Sequence, residues 1–492
     1  MITCEKNSRF NDIILVLFNI MMLMPAIIYG GQNFSIDSYG IMLDKQTHIS
    51  AFIGSLRWFG AFVYDVYYFL FRHNPIINST IDCIIFVLLV AVSIFFFTKK
   101  LCKLLRENGI LSTLIIDVSV VVSVINVWFL DILSFPECVF ISAIGFILCF
   151  SAIYVFMVAK SSWQYILVSV LLVLSTGIYQ QYICIFTIYV IAICGINMIK
   201  EHIKTFKEIF LIYIKPVVII VTSGVIYLIT GKIVQCIFSV EPNSRIALNI
   251  SSIIENCIYY IKHQHSYLKG RGYFETELLT ICFLFTGVIC AILVIKEWIK
   301  NKNTIKTLVL GLSIMFAYCS AYLPGILSTS HSHRAMFALF AIFALFALVS
   351  LALSVQRIIR SMLLVVLAVV FCANAIVSIQ SEFQLKKQND ADKVWCEQVI
   401  EEIEEYERTE QTINNIYYCY DSNVDIAVYT QSAVTQNYSL RAMINMFAER
   451  TFTVKEMAET EKDLYFNDKE WTDINIQEQI VFIDDTAYLC CY

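Results

Sequence analysis

The stretch TIDCIIFVLLVAVSIFFFT, residues 80–98, runs directly into Lys99 and Lys100. A bilayer core of about 30 Å is crossed by roughly 20 predominantly apolar helical residues. This run has that length and stops at a basic pair. The pattern repeats at 11–29, 109–127, 136–157, 162–177, 180–198, 211–230, 278–296, 307–324, 335–354 and 360–379, the fifth of the eleven runs being short. Over the 492 residues, 58% are hydrophobic and 15% charged, with a mean hydropathy of +0.70. A soluble domain carries about 45–50% apolar and about 25% charged residues. The sequence therefore predicts an all-α polytopic membrane protein of about eleven transmembrane helices. It excludes a soluble protein, a disordered chain and a nucleic-acid binder, which needs a clustered basic stripe.

The net charge of −5 conceals a division. Residues 380–492 hold 23 Asp and Glu against 9 Lys and Arg, and residues 1–379 hold the remaining 17 acids and 26 bases. This predicts a transmembrane domain over 1–379 and an acidic domain over 380–492. In the latter, 389–411 reads as a charged helix with Glu401, Glu402, Glu404, Glu405 and Glu407 on a solvated face. Residues 416–420 and 479–483 read as strands, the second ending at Asp484-Asp485, so a small α/β unit is expected. With the N-terminus cytoplasmic, inner segments hold 17 Lys and Arg and outer loops 9, the bias of cytoplasmic loops. Eleven spans then place the acidic domain outside. The N-terminal run has a long apolar core and no small-residue cleavage site, so it reads as a retained first helix.

Two outer loops are long, 30–79 and 231–277. Within the first, 49–71 carries Trp58, Phe59, Phe62, Tyr64, Tyr67, Tyr68 and Phe69, which predicts a helix lying in the membrane interface. Asp37 and Asp44 precede it, and Arg57-Trp58 lies within it. A surface carboxylate can take a proton from a sugar hydroxyl, and an arginine can hold a phosphate through paired donors. Spacing alone is not specific, and composition alone favours an ordinary loop acid and a headgroup-binding arginine. Asp117, inside the third run, is costly in a membrane and expects a partner such as Asn126 or a lined cavity. Asp131 and Glu137 flank Pro136 and read as loop acids. His263, His265, His331 and His333 lack the Cys or carboxylate spacing of a zinc site, so no metal is expected. The 17 cysteines show no CxxC spacing and read as inert apolar thiols.

Four elements together resemble the membrane glucosyltransferase family that decorates O-antigen during phage-driven serotype conversion, a branch of the GT-C superfamily. They are Asp37 after the first span; Leu56-Arg57-Trp58 on an aromatic helix; Ser175-Thr176-Gly177-Ile178-Tyr179-Gln180, similar to the family's Ser-x-Gly-x-Tyr-Gln element; and His333-Arg334 opening an apolar helix. The resemblance spans roughly residues 10–485. Ser38 stands where several relatives have a second acid, and Leu56 where a glycine often precedes the arginine.

The resemblance implies a GT-C-like enzyme of the bacterial cytoplasmic membrane. It would move a hexose, expected to be glucose, from a polyprenyl-phosphate donor to a surface glycan on the outer face. It implies Asp37 as general base, alone or with Asp44, and Arg57 as phosphate clamp, with Tyr179, Gln180, Arg271 and Arg334 as further substrate contacts. No cofactor is expected, and no nucleotide motif is present. An O-antigen polymerase or ligase is the alternative. A flippase ranks third, because it would show deep paired charges and pseudo-symmetric halves, whereas Asp117 is the one deep acid recognised and no repeat is detected.

Overall fold

A computed structural model describes residues 2–30, 35, 38–40, 45–71, 75–201, 205–243, 249–270, 276–328, 331–420, 432–435, 437–467 and 475–491. They divide into two compact units. The first takes the chain up to Ser381 apart from part of the first loop. The second takes the chain from 382 onward, with Ser35, Ser38, Tyr39, Gly40, residues 45–48 and residues 75–77.

The first unit is helical. Its opening segment is α1 (Ile2–Gly30), then α2 (Lys45–Gly54), α3 (Trp58–Phe71) and α4 (Pro75–Leu105). A bent pair follows, α5 (Ile110–Val124) and α6 (Val127–Leu133), then α7 (Pro136–Val158), α8 (Ser162–Ile178), α9 (Gln181–Lys200) and α10 (Phe206–Ile237). The remainder is α11 (Ile250–Lys269), α12 (Glu277–Asn301), α13 (Thr304–Ser320), α14 (Leu323–Ile326), a 3-10 helix (His333–Phe340), α15 (Ala341–Leu353) and the first part of α16 (Arg357–Thr409). Among the described residues eight helices are long and apolar enough to cross a bilayer, or nine with the bent pair taken as one. The expected runs at 162–177 and 307–324 fall on the shorter helices α8 and α13. The chain is thus a multi-pass membrane protein. Helices α9 and 333–353 are central, with 89% of their apolar windows buried, while α10 and α12 turn most of theirs outward.

Polar side chains deep in the bundle around Asp117 are partnered. Asp117 accepts from Thr98 at 2.9 Å, and the Asn19 amide, oriented with its nitrogen toward the acid, donates at 2.6 Å. Three helices are joined there, as expected of polar groups in a membrane bundle. The partner suggested by the sequence, Asn126, acts elsewhere. It caps α6 by accepting from Phe129 at 3.1 Å, at the 52° bend between α5 and α6. Asn374 accepts the Val127 amide freed by that bend at 3.1 Å.

Three expectations need correction. The single interfacial helix over 49–71 is two helices, broken at Ser55–Arg57 because Leu56 adopts a left-handed φ of 61°. The loop over 231–277 is largely helical. Helix α10 continues to Ile237, and α11 is amphipathic, exposing Ile250, Ile254, Ile258 and Ile261 while burying Asn256, Tyr260 and Tyr267. The helix expected at 389–411 is fused to the last apolar run, since residues 357–409 contain no Gly or Pro to interrupt it.

The second unit adds β1 (Asn415–Tyr420), α17 (Asn437–Phe447), β2 (Thr453–Glu456), α18 (Glu459–Phe466), α19 (Ile476–Gln479), β3 (Ile480–Ile483) and β4 (Thr486–Cys491). The sheet order is β2-β1-β4-β3, parallel except for the β3–β4 hairpin. Trp395, Cys396, Val399 and Ile403 of α16 enter its core at helical spacing, while Glu401, Glu404 and Glu405 stay exposed.

Candidate functional site

The site is built around the turn between α2 and α3. Gly54 ends α2, Leu56 reverses the chain, and the Arg57 amide bonds back to Phe52 O at 2.8 Å. A turn exposes carbonyls, and each must find a donor. Gln235 of α10 donates to Ile53 O and Gly54 O at 3.0 and 3.1 Å, and the Asn243 amide also reaches Gly54 O at 3.0 Å. Gln180 donates to Ser55 O at 2.8 Å and to the Tyr227 hydroxyl at 2.9 Å. Trp58 lies between α8 and α10, where only glycines leave room. A Cβ on Gly177 would come within 3.0 Å of its ring, and one on Gly231 within 2.8 Å of Leu56.

Arg57 is thereby fixed with its guanidinium 4.2 Å from the centre of the Tyr179 ring, a cation–π arrangement. Its Nε is buried with no hydrogen-bond partner, and no carboxylate among the described residues pairs with it. The Trp58 indole N–H beside it is likewise buried without an acceptor. Leu56, Trp58, Val173 and Tyr227 form an apolar patch beneath the turn. A groove of about 400 Å³ continues from Val173 between α8 and α10, past Val170, Ile226 and Val218 to Tyr165. Thr222 in this groove turns its hydroxyl back onto its own helix, to Val218 O and Ile219 O, so the lining is apolar.

The next residue, Gln181, faces the other way. It is fully buried, donates to Ala335 O and to Ala321 O (3.3 Å), and accepts from the Ala338 amide at 3.2 Å. It therefore fixes the 3-10 helix that carries Arg334, whose guanidinium stacks 4.5 Å from the Phe135 ring centre. The Tyr179 ring, with Arg57 on it, also packs against Phe337 of that helix at 5.6 Å. Adjacent glutamines thus hold the two arginine-bearing segments on either side of Tyr179.

The structure gathers Arg57, Tyr179 and Gln180 at the turn into one constellation, and Arg334 opens the 3-10 helix whose Phe337 packs against Tyr179. Asp37, Asp44 and Arg271 lie outside the described residues. Gln181 directly follows the motif and is not singled out by the sequence, because its role depends on contacts more than 130 residues away. The histidines are engaged with aromatic rings and an acid. His333 packs on Trp128 and Tyr267 (5.0 and 4.5 Å), His331 stacks on Tyr259 at 3.7 Å, and His265 meets Glu277 at 2.7 Å. Buried acids also stand in α4 and α7, beside α3. Asp82 is fully buried and accepts from the Tyr67 hydroxyl at 2.5 Å, and Glu137, expected as a loop acid, is 2% exposed.

The family model described as "Glucosyl transferase GtrII" matches residues 31–351, which contain the whole constellation. No curated protein matches the chain significantly. A multi-pass bundle with its arginines, tyrosine and glutamines all inside a match covering well over half of its length belongs to the GtrII glucosyltransferase family.

Proposed function

We propose that this membrane glucosyltransferase takes glucose from a polyprenyl-phosphate donor on the outer face and passes it to a hydroxyl of a cell-surface polysaccharide. The observation that carries the reading is Arg57. It is a guanidinium without a carboxylate partner among the described residues, set at the head of an apolar groove. An amphipathic donor matches both features, with its phosphate on the arginine and its chain along α8 and α10. Arginine suits this role because its planar donors meet phosphate oxygens in pairs. The N-terminal end of α9, which begins just after Gln180, adds a favourable dipole for an anion.

In this reading Asp37 accepts the proton of the acceptor hydroxyl, assisted by Asp44. The hydroxyl oxygen attacks the anomeric carbon from the side opposite the phosphate, so the product is inverted. The bond from carbon to phosphate oxygen breaks, and its electron pair leaves as polyprenyl phosphate. Charge grows on that oxygen in the transition state, where Arg57, with Arg334 and Arg271, stabilises it in the manner of an oxyanion hole. Tyr179 and Gln180 orient Arg57. A GT-C architecture, a cytoplasmic N-terminus and an extracytoplasmic acidic domain complete the proposal.

The test is transfer of radiolabelled glucose from undecaprenyl-phosphate-glucose to native surface glycan, in membranes bearing wild type or Asp37→Asn. Loss of about 10²–10⁴-fold in the variant is expected for a general base. Unchanged transfer by inserted Asp37→Asn contradicts the mechanism. Absence of transfer by wild type contradicts the donor class.

A further inference from the structure

Helix α11 is tied to the ends of two other helices. The Thr276 amide bonds to Lys269 O at 2.8 Å, and Glu277, which opens α12, meets both Lys269 and His265 at 2.7 Å. Gln264 accepts from the Tyr318 hydroxyl, near the end of α13, at 3.0 Å. Asn256 donates to Ile326 O and Ser328 O, just beyond α13, at 3.0 and 2.7 Å. Only Lys302 and Asn303 connect α12 to α13, so the two run antiparallel and Glu277 and Tyr318 stand at the same end of a hairpin. Helix α12 is long and apolar enough to cross a bilayer. That end of the hairpin therefore marks a membrane surface, and α11 is anchored there.

Helix α11 is too polar to cross the bilayer itself, with Glu255, Lys262 and Lys269 among its 20 residues. Successive helical residues turn by about 100°. Counted from Ile250, the side chains of Ile254, Ile258 and Ile261 fall within about 80° of it. The four isoleucines are 76, 54, 47 and 69% exposed. The bundle-facing Asn256, Tyr260 and Tyr267 fall at about 240–280°. The exposed Ser251, Glu255, Lys262 and His263 occupy about 100–220°. The helix thus has three sectors: one against the bundle, one polar, one apolar and bare. A helix set between protein and water alone carries polar residues on its whole outer side. A contiguous exposed apolar stripe marks a further partner.

We propose that α11 lies flat along the bilayer surface, with Ile250, Ile254, Ile258 and Ile261 among the lipid acyl chains and the arc of Glu255 and His263 in water. Amphipathic helices with one apolar and one charged face rest in this way, their apolar side about 5–10 Å into the boundary of the acyl region. The occupant is lipid because the stripe continues a lipid-facing surface. Helix α12 exposes Ile281, Leu284 and Val288, starting one turn after the Glu277 corner that holds α11. Lys262 borders the stripe, where its stem can stay with the isoleucines while its ammonium reaches headgroup phosphates. The helix also fixes neighbouring parts of the bundle. Tyr267 O accepts the Trp128 indole N–H at 2.8 Å, and the Tyr267 ring packs on His333, the residue before Arg334. The depth at which the stripe rests is thus shared by the segment that opens with Arg334. The proposal is independent of the identity of the donor and of the base.

The experiment uses the full wild-type chain in vesicles of phosphatidylethanolamine and phosphatidylglycerol. Two phospholipid probes are added in separate samples, one with a photoactivatable diazirine near the ester and one with it at the chain end. Adducts are mapped to residues by peptide mass spectrometry after irradiation. The shallow probe should label Ile250, Ile254, Ile258 and Ile261 evenly, and the deep probe should label them about tenfold less, as a helix parallel to the surface requires. Val288, three turns into α12, should be labelled more by the deep probe and so reports that the probe works. Adducts on α12 with none on the stripe overturn the proposal. So does a gradient from Ile250 to Ile261 with the deep probe, which would place the helix across the bilayer. An amine cross-link between Lys262 of two copies, with no lipid adducts on the stripe, would put a second copy there and overturn it as well.

Discussion

The two ends of α9 each have an arginine beside them, in opposite states. Near Lys200, Arg360 is saturated. It binds Glu107 through both terminal nitrogens at 2.7 and 2.9 Å, Ser112 at 2.8 Å, and Ser354 O through Nε and Nη2, each at 3.1 Å. Roughly 28 Å away along the helix, beyond Gln181, Arg57 has an aromatic face and an apolar patch but no carboxylate among the described residues. A paired arginine is finished as a structural element. Arg57 is half-buried, and leaving a partly buried charge without a counter-charge among the described residues is costly. The difference separates a clamp that holds helices together from a seat that an anion completes.

Replacing the charges tests this contrast most strongly. Arg57→Ala should lower kcat/KM for transfer by about 10²–10³, and Arg57→Lys should recover only part because a point charge lacks the paired donors. Arg360→Lys should leave the kinetics intact and lower the melting temperature. Equal kinetic losses in both would break the comparison. Gln181→Leu comes next. It strands two carbonyls and an amide, costing about 1–3 kcal/mol, and frees the segment carrying Arg334, so thermal stability and transfer should fall together.

Glu107→Gln should cost about 1–3 kcal/mol at neutral pH, read as thermal unfolding in detergent. Burial raises the Glu107 carboxyl, but the Arg360 and Ser112 hydrogen bonds and the charges of Arg360 and Lys200 outweigh it and hold the group below its ordinary value. A depressed carboxylate contributes stability above its unfolded value of about 4.3. That contribution is lost as pH falls through the folded value. The variant should therefore flatten the acid side of the melting profile, and an unchanged profile contradicts the assignment. The smallest effect is at Leu56. Truncation loses its packing in either case, but at φ 61° the usual order reverses. Leu56→Gly should be more stable than Leu56→Ala by about 1 kcal/mol.

Much of this was legible in the sequence because a bilayer imposes length and polarity. The runs at 80–98 and 278–296 lie inside helices that overrun them by several residues, since Pro75–Leu105 and Glu277–Asn301 continue past the apolar core. Arg57, Tyr179, Gln180 and Arg334 stand out by residue type and order, and in the fold Arg57 lies over Tyr179 while Arg334 lies over Phe135. Other features depend on contacts that no local pattern carries. The left-handed backbone at Leu56, just before Arg57, is one such feature. Asp82 looked like part of an apolar run until Tyr67 came to it from another helix. Strands β2 and β4 escaped notice because Thr453–Glu456 is too short to show alternation and Thr486–Cys491 is buried at most positions.

The most direct test of Arg57 as an anion seat is equilibrium binding of polyprenyl phosphate without sugar, measured on detergent-purified wild type, Arg57→Ala and Arg360→Lys. The account predicts that Arg57→Ala weakens binding by about tenfold or more, the loss of a charged hydrogen bond, with Arg360→Lys indistinguishable from wild type. Equal affinity of all three proteins would contradict it.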